Sequence, residues 1–148
     1  MAASCLLSAR LIHRHGHLSV IVAYAPTEDA ADADKDAFYN DLASVIESVL
    51  THDNLLMLGD FKAVTGPRSA GYENVVGPFG AGSLNNNSSR LLSLRSSHGL
   101  IVSGSWFRRL NVHRWTWASN DGRTKKEIDH LITKVLPCLL RRRSPSQY

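Results

Sequence analysis

The stretch "NLLMLGDF", residues 54–61, narrows the possible folds more than any other part of the chain. Its four consecutive apolar residues, Leu55 to Leu58, suit a strand buried on both faces. They run directly into Gly59 and Asp60, then into Phe61 and Lys62. A carboxylate at the end of such a strand is aimed by a rigid element. Gly59 lets something approach the backbone closely. One short segment therefore predicts a sheet in the core and a carboxylate presented at its edge.

Strands and helices alternate around this segment. "CLLSARLIHR" and "HLSVIVAYAP" are apolar, β-rich runs meeting at "RHG", which predicts a hairpin turning at Gly16. His13, His15 and His17 flank that turn without a neighbouring carboxylate or cysteine, so a solvated hairpin end is favoured over a metal site. Pro26 ends the second strand. Asp32 or Asp34 caps a helix expected from about Lys35, with Phe38, Leu42, Val45, Ile46, Val49 and Leu50 at helical spacing. The segment from Lys62 to Ser89 is dense in Gly, Pro, Asn and Ser, and a loop this long is often functional. A second helix is expected from Ser88 or Ser89 to a stop at Gly99. "LIVSGSW", "HRWTWAS" and "KEIDHLITKV" are expected strands, the last two turned by "NDG". With neither repeat nor linker, the 148 residues predict one domain with room for a core.

Composition removes several classes. Mean hydropathy is near neutral, which argues against wholesale disorder. No apolar run approaches the length of about 18 residues that a membrane-spanning helix needs. The opening "MAASCLLSARLIHRHG" is too briefly apolar for a secretory signal. Cys5 and Cys138 fit no metal or disulfide pattern, so a reduced, intracellular setting is expected. A net charge of +4 is compatible with a polyanionic partner.

Three strand ends carry polar chemistry: Tyr24 before Ala25-Pro26, Asp60 after Gly59, and Asp129 beside Ile128. Each has a plain alternative, namely a core tyrosine, a Gly-Asp turn and an edge aspartate. An ionised group in an apolar strand is costly unless paired or hydrated. Together the three suggest one polar pocket at the edge of a sheet. Trp115 and Trp117 alternate on a strand and share a side, with Thr116 opposite. Stacking on nucleic acid is conceivable for them, but packing between layers is favoured. Arg108, Arg109 and Arg114 suit phosphates or a solvated strand end equally well. Lys125 and Lys126 are expected to serve solubility at a hairpin tip. Arg141, Arg142 and Arg143 could form a nuclear-targeting or nucleic-acid patch, and a disordered basic end is favoured.

The series "VIVAYAP", "LLMLGDFKAVTG", "NNNSSRLL", "HRWTWAS" and "KEIDHLI" resembles the endonuclease/exonuclease/phosphatase, DNase I-like family. Within it, the segment from Ala63 to Gly122 is similar to the branch of craniofacial development protein 2-like and LINE-type retrotransposon endonucleases. The resemblance implies an α+β fold, a partial four-layer α/β/β/α sandwich over residues 1–133, followed by a non-family basic tail over 134–148. It implies phosphodiester hydrolysis with Mg2+ or Mn2+ and DNA as partner. By position, Tyr24 resembles the phosphate-contacting tyrosine. Asp60 resembles the aspartate that lies by the metal and orients water, and Asp129 the one that holds a catalytic histidine. Lys62, Asn85 and Asn87 fall where the family positions substrate.

Departures from the pattern carry equal weight. The family's Gly-Asp-Phe-Asn is here Gly59-Asp60-Phe61-Lys62, a donor-only cation in place of a neutral amide. No glutamate precedes Tyr24 and no histidine follows His130. The expectation is therefore a truncated, catalytically impaired fragment of a retrotransposon-type endonuclease. The alternatives are an active Mg2+-dependent enzyme completed by a partner chain or by unsuspected residues, or a non-catalytic module that binds nucleic acid or protein.

Overall fold

The protein is described here by a computed structural model covering residues 4–67 and 71–134. The basic tail with Cys138 and Arg141 to Arg143 lies outside the described residues, apart from Lys134, which closes a strand.

The predicted hairpin forms from β1 (Cys5–His13) and β2 (Gly16–Tyr24), paired from His13 opposite Gly16 to Cys5 opposite Tyr24. Helix α1 (Asp32–Ser48) then carries the chain to β3 (Asn54–Asp60), which lies parallel to β2. α1 begins three residues earlier than its spacing predicts. Asp32 and Asp34 sit in its first turn rather than capping it, where their charge suits the positive end of the helix dipole. Helix α2 (Asn86–Ser97) and the short β4 (Leu100–Val102) follow. β5 (Trp117–Ala118) and β6 (Lys125–Lys126) make a separate two-stranded ribbon, and β7 (Asp129–Lys134) returns to the main sheet. "KEIDHLITKV" is thus two strands rather than one.

The main sheet has the order β1-β2-β3-β7-β4. Its two faces differ. Ile21, Ala23, Leu55, Met57 and Ile132 point to one side and are buried with Phe38, Leu42 and Ile46 of α1 and Leu91 of α2. The alternate residues point the other way. There Leu7, Leu11, Val22 and Leu131 are exposed, Leu7 by 64%, and Leu56 and Leu58 are half-buried. β3 is therefore covered on one face, not on both as its unbroken apolar run predicts. Among the described residues the fold is one helical layer on one five-stranded layer, half of the four-layer sandwich.

Gly59 answers to a close contact within the sheet. A Cβ there would lie 1.9 Å from the Ala23 carbonyl oxygen of β2. The loop after β3 is itself packed: Val75 and Val76 form a second core cluster with Leu92 of α2 and Val102 of β4, and Val102 donates its N–H to the Val75 carbonyl at 3.0 Å.

Candidate functional site

The site follows from strand register. Tyr24 of β2 is opposite Asp60 of β3, and Asp60 is opposite Asp129 of β7. Directly opposed residues of neighbouring strands share a face. The three side chains thus stand in one row on the open face, at the ends of three adjacent strands. The backbone extends the row by one bond on each side. Ala25 N–H donates to the Asp60 carbonyl at 2.9 Å and Phe61 N–H to that of Ile128 at 3.0 Å.

Lys62 completes the row. Its backbone is left-handed, φ 50°, and it is the single non-glycine with positive φ among the described residues. This turn brings both its N–H groups back onto Asp60. The backbone N–H donates to Oδ1 at 3.1 Å and the ammonium is bonded to Oδ2. The ammonium also lies 5.0 Å from the centroid of the Tyr24 ring, a cation–π distance. Burial acts against the ammonium, but the hydrogen bond to Asp60 and its charge outweigh that and hold Lys62 above the ordinary lysine range. Asn85 fixes the turn by donating from Nδ2 to the Lys62 carbonyl at 2.8 Å.

The two asparagines differ in placement. Asn85 is the N-cap of α2, accepting from Ser88 N–H at 3.0 Å while Ser88 Oγ accepts from Asn85 N–H at 2.9 Å. It lines a cleft beside Lys62. Asn87 is fully buried and donates to the Pro26 carbonyl at 3.1 Å. It ties α2 to the exit of β2 and does not reach the cleft.

The cleft, about 280 Å³, is walled by Lys62, Asn85, Glu28 and Asp29 on one side and by Trp117 and Lys126 of the β5-β6 ribbon on the other. Asp129 opens instead onto a neighbouring cavity of about 390 Å³ with Phe107, Arg109 and Glu127. The expected burial of the tryptophans is corrected here: Trp115 and Trp117 are both exposed. A ribbon of two two-residue strands has no layer to bury them in. Each ring is instead covered by a lysine ammonium, Lys125 at 4.7 Å from Trp115 and Lys126 at 5.8 Å from Trp117. Thr116 does point the other way, its Oγ1 accepting from the N–H groups of Ile128 and Asp129 at 3.1 and 3.2 Å.

His130 is turned away from this site. It lies on the helix side, buried and stacked on Phe61. Its Nε2 is 2.7 Å from the Ala63 carbonyl, which can only accept, so Nε2 carries the proton. Burial pushes its pKa down to about 4.

A divalent ion does not fit the row as it stands. Lys62 donates to both oxygens of Asp60, and its ammonium would repel a divalent ion approaching that carboxylate. Among the described residues, the three-ligand cluster able to hold a metal is His17, His52 and Asp53, beyond the opposite end of β3. Of the hairpin histidines, His17 thus does have a carboxylate near it, one that only strand register reveals. Its oxygens already accept from Arg10 and Ser19.

No family model matches the chain. It is 32% identical over 129 residues to craniofacial development protein 2 of Bos taurus and 31% identical to that of Tragulus javanicus. The match covers 87% of this chain, which spans about a fifth of those relatives (22%). The fold is similar to that of the 3' phosphatase NExo from Neisseria, solved bound to product DNA hairpin. That likeness has a TM-score of 0.53 and 18% identity, and covers 79% of this chain and 48% of the other.

Proposed function

As a homologue of one segment of craniofacial development protein 2 with the DNase I-like fold, this chain is, we propose, a nucleic-acid-binding module of the retrotransposon-type endonuclease kind, with phosphodiester hydrolysis impaired. One observation carries the binding half of this reading: Lys62, Lys126 and the exposed ring of Trp117 meet on a single cleft. Lysines attract the phosphate backbone and an exposed indole gives a base a face to stack on. The DNA in the structure of NExo is consistent with such a ligand for this fold.

The impairment follows from what hydrolysis requires. A group must orient or deprotonate the attacking water, and positive charge must meet the developing charge on phosphorus oxygens. Asp60 is the candidate for the first task, Tyr24 and Lys62 for contact with phosphate, and Asn85 holds Lys62 in place. Asp60 keeps lone pairs for a water, but the adjacent ammonium of Lys62 stabilises its charge and weakens it as a base. The histidine next to Asp129, His130, is buried on the other face. Mg2+ or Mn2+, where bound, would supply charge neutralisation and polarise the phosphate, but at Asp60 it would be repelled by the ammonium of Lys62.

Fluorescence anisotropy with a labelled single-stranded oligonucleotide tests the binding. Salt-sensitive binding is expected, weakened about fivefold or more by Trp117→Ala, the lower end of a stacking contribution. Absence of binding to any single- or double-stranded oligonucleotide would overturn the reading. Plasmid nicking in Mg2+ or Mn2+ is expected to be undetectable. Robust nicking lost in Asp60→Ala would favour an active endonuclease completed by other groups.

A further inference from the structure

We propose that Lys62 is the resident cation of this site: its ammonium takes the place beside Asp60 that a divalent ion would need, and meets an incoming phosphate oxygen so that the site engages phosphodiesters without metal. The inference deepens the function proposed above and rests on its reading of the cleft as a phosphate site.

Three features separate this arrangement from a chance surface pair. The ion pair is sheltered, with the Lys62 and Asp60 side chains only 20% and 19% exposed. Its geometry depends on a left-handed backbone, which a lysine adopts at a cost unless its surroundings enforce it. Those surroundings are present: Asn85 donates to the Lys62 carbonyl, and Asn85 is itself locked by the reciprocal cap with Ser88. The backbone of Lys62 is thus held by a chain of bonds leading into α2, and its ammonium by Asp60.

The charges also suit the role. A carboxylate with one bound ammonium is neutral as a pair, so the row carries one negative charge, on Asp129, where a bare Asp60 and Asp129 would carry two and repel an anion more strongly. The ammonium has three N–H donors. One is committed to Asp60 and one side faces the Tyr24 ring, while Lys62 also lines the cleft. A phosphate oxygen entering there meets a lysine held by protein groups, with no ion to recruit.

The test compares wild type with Lys62→Asn. Asparagine is among the residues most at ease in the left-handed region, so the turn should survive. Lys62→Gly, which accepts the same backbone, is the second variant should the first fail to fold. Mn2+ binding is followed by electron paramagnetic resonance and calorimetry, and oligonucleotide binding by anisotropy with and without excess EDTA. In wild type, Mn2+ binding that depends on Asp60 should be undetectable, and EDTA should leave oligonucleotide affinity unchanged. Either variant should gain Mn2+ binding by about tenfold or more, removable by Asp60→Asn. The inference is overturned if wild type binds Mn2+ through Asp60 as tightly as the variants do, or if EDTA abolishes its oligonucleotide binding. Failure of every form to bind oligonucleotide would refute the nucleic-acid reading and the phosphate-contact role of Lys62. The Mn2+ measurements would still decide separately whether Lys62 excludes an ion.

Discussion

Two aspartates bracket β3, and each is bonded to a cation, yet the pairs are built differently. Asp53, just before the strand, is sealed: its side chain has no exposed surface. It accepts from Arg10 Nε and Nη2 at 2.7 and 3.0 Å and from Ser19 Oγ at 2.9 Å. These partners come from β1 and β2, so the bonds pin three strands together. Asp60, at the other end, accepts on its side chain from one residue two positions away, Lys62, and its side chain keeps some exposure. A bidentate guanidinium with a hydroxyl makes a structural joint. A lysine on a local turn makes a pair that can be opened without parting strands. Sign and proximity are alike at the two ends; what differs is who supplies the donors.

The sharpest way to break this comparison is at the sealed end. Asp53→Ala would leave Arg10 without its partner and remove the joint between β1, β2 and β3. Asp53 is sealed while Arg10 is 40% exposed and can rehydrate, so the loss comes from the bonds that join the strands rather than from a stranded buried charge. The thermal midpoint, followed by circular dichroism, should fall on the order of 10 °C, given how steeply it responds to stability in a domain of this size. The hydrogen bond from Arg10 is the main cause holding the Asp53 carboxyl well below the ordinary range. Stability from a depressed carboxylate is present above its unfolded value and is lost as pH falls through the folded one. The wild-type midpoint should therefore drop further in the most acidic range, and the variant should lack that final step.

A second, smaller effect belongs to the Asp60 end but to its covered face. His130 is buried neutral, with its pKa pushed down to about 4 from an ordinary 6.5. Here the unfolded chain takes up the proton first. Stability is full above about pH 6.5 and declines as pH falls toward 4. His130→Gln keeps an N–H for the Ala63 carbonyl but does not titrate in this window. Its melting midpoint should be nearly flat between those two values, where that of wild type falls. An equal decline in both proteins would show that the step comes from elsewhere.

Much of this frame was legible in the sequence. Gly16 between two apolar runs gave the hairpin, the spacing from Phe38 to Ile46 gave α1, and the three strand ends gave the row of Tyr24, Asp60 and Asp129. What stayed hidden needed register. Arg10 and Asp53 are 43 positions apart, and nothing local marks either as a partner until β1, β2 and β3 are aligned. The open face was hidden for another reason: apolar residues on both sides of β3 look alike whether one or two layers cover them. The substitution at Lys62 was visible as a departure. Its left-handed backbone and its clamp by Asn85 were not, since Asn85 also reads as the edge of a polar loop. The exposure of Trp115 and Trp117 depended on the ribbon being too short to pack, while alternation alone pointed to a longer strand.

The smallest stability effect should come from the residue with the largest consequence for the site. Asp60→Ala removes a carboxylate whose donors both belong to Lys62, so no strand loses an anchor. The backbone bonds of Asp60 to its neighbours stay, because Ala25 N–H donates to its carbonyl rather than to its side chain. The freed ammonium is on a side chain already 20% exposed and can turn to solvent. Solvent-exposed lysine–carboxylate pairs contribute about 1 kcal/mol or less; this one is more sheltered, so its loss, read from the denaturant midpoint, should exceed that figure while staying below the loss in Asp53→Ala. The same variant leaves Lys62 unneutralised beside Tyr24 and Lys126, which should tighten oligonucleotide binding at low salt and steepen its salt dependence. A loss of stability comparable to that of Asp53→Ala would show that the row at the end of β3 is a second structural joint, and the contrast between its two ends would collapse.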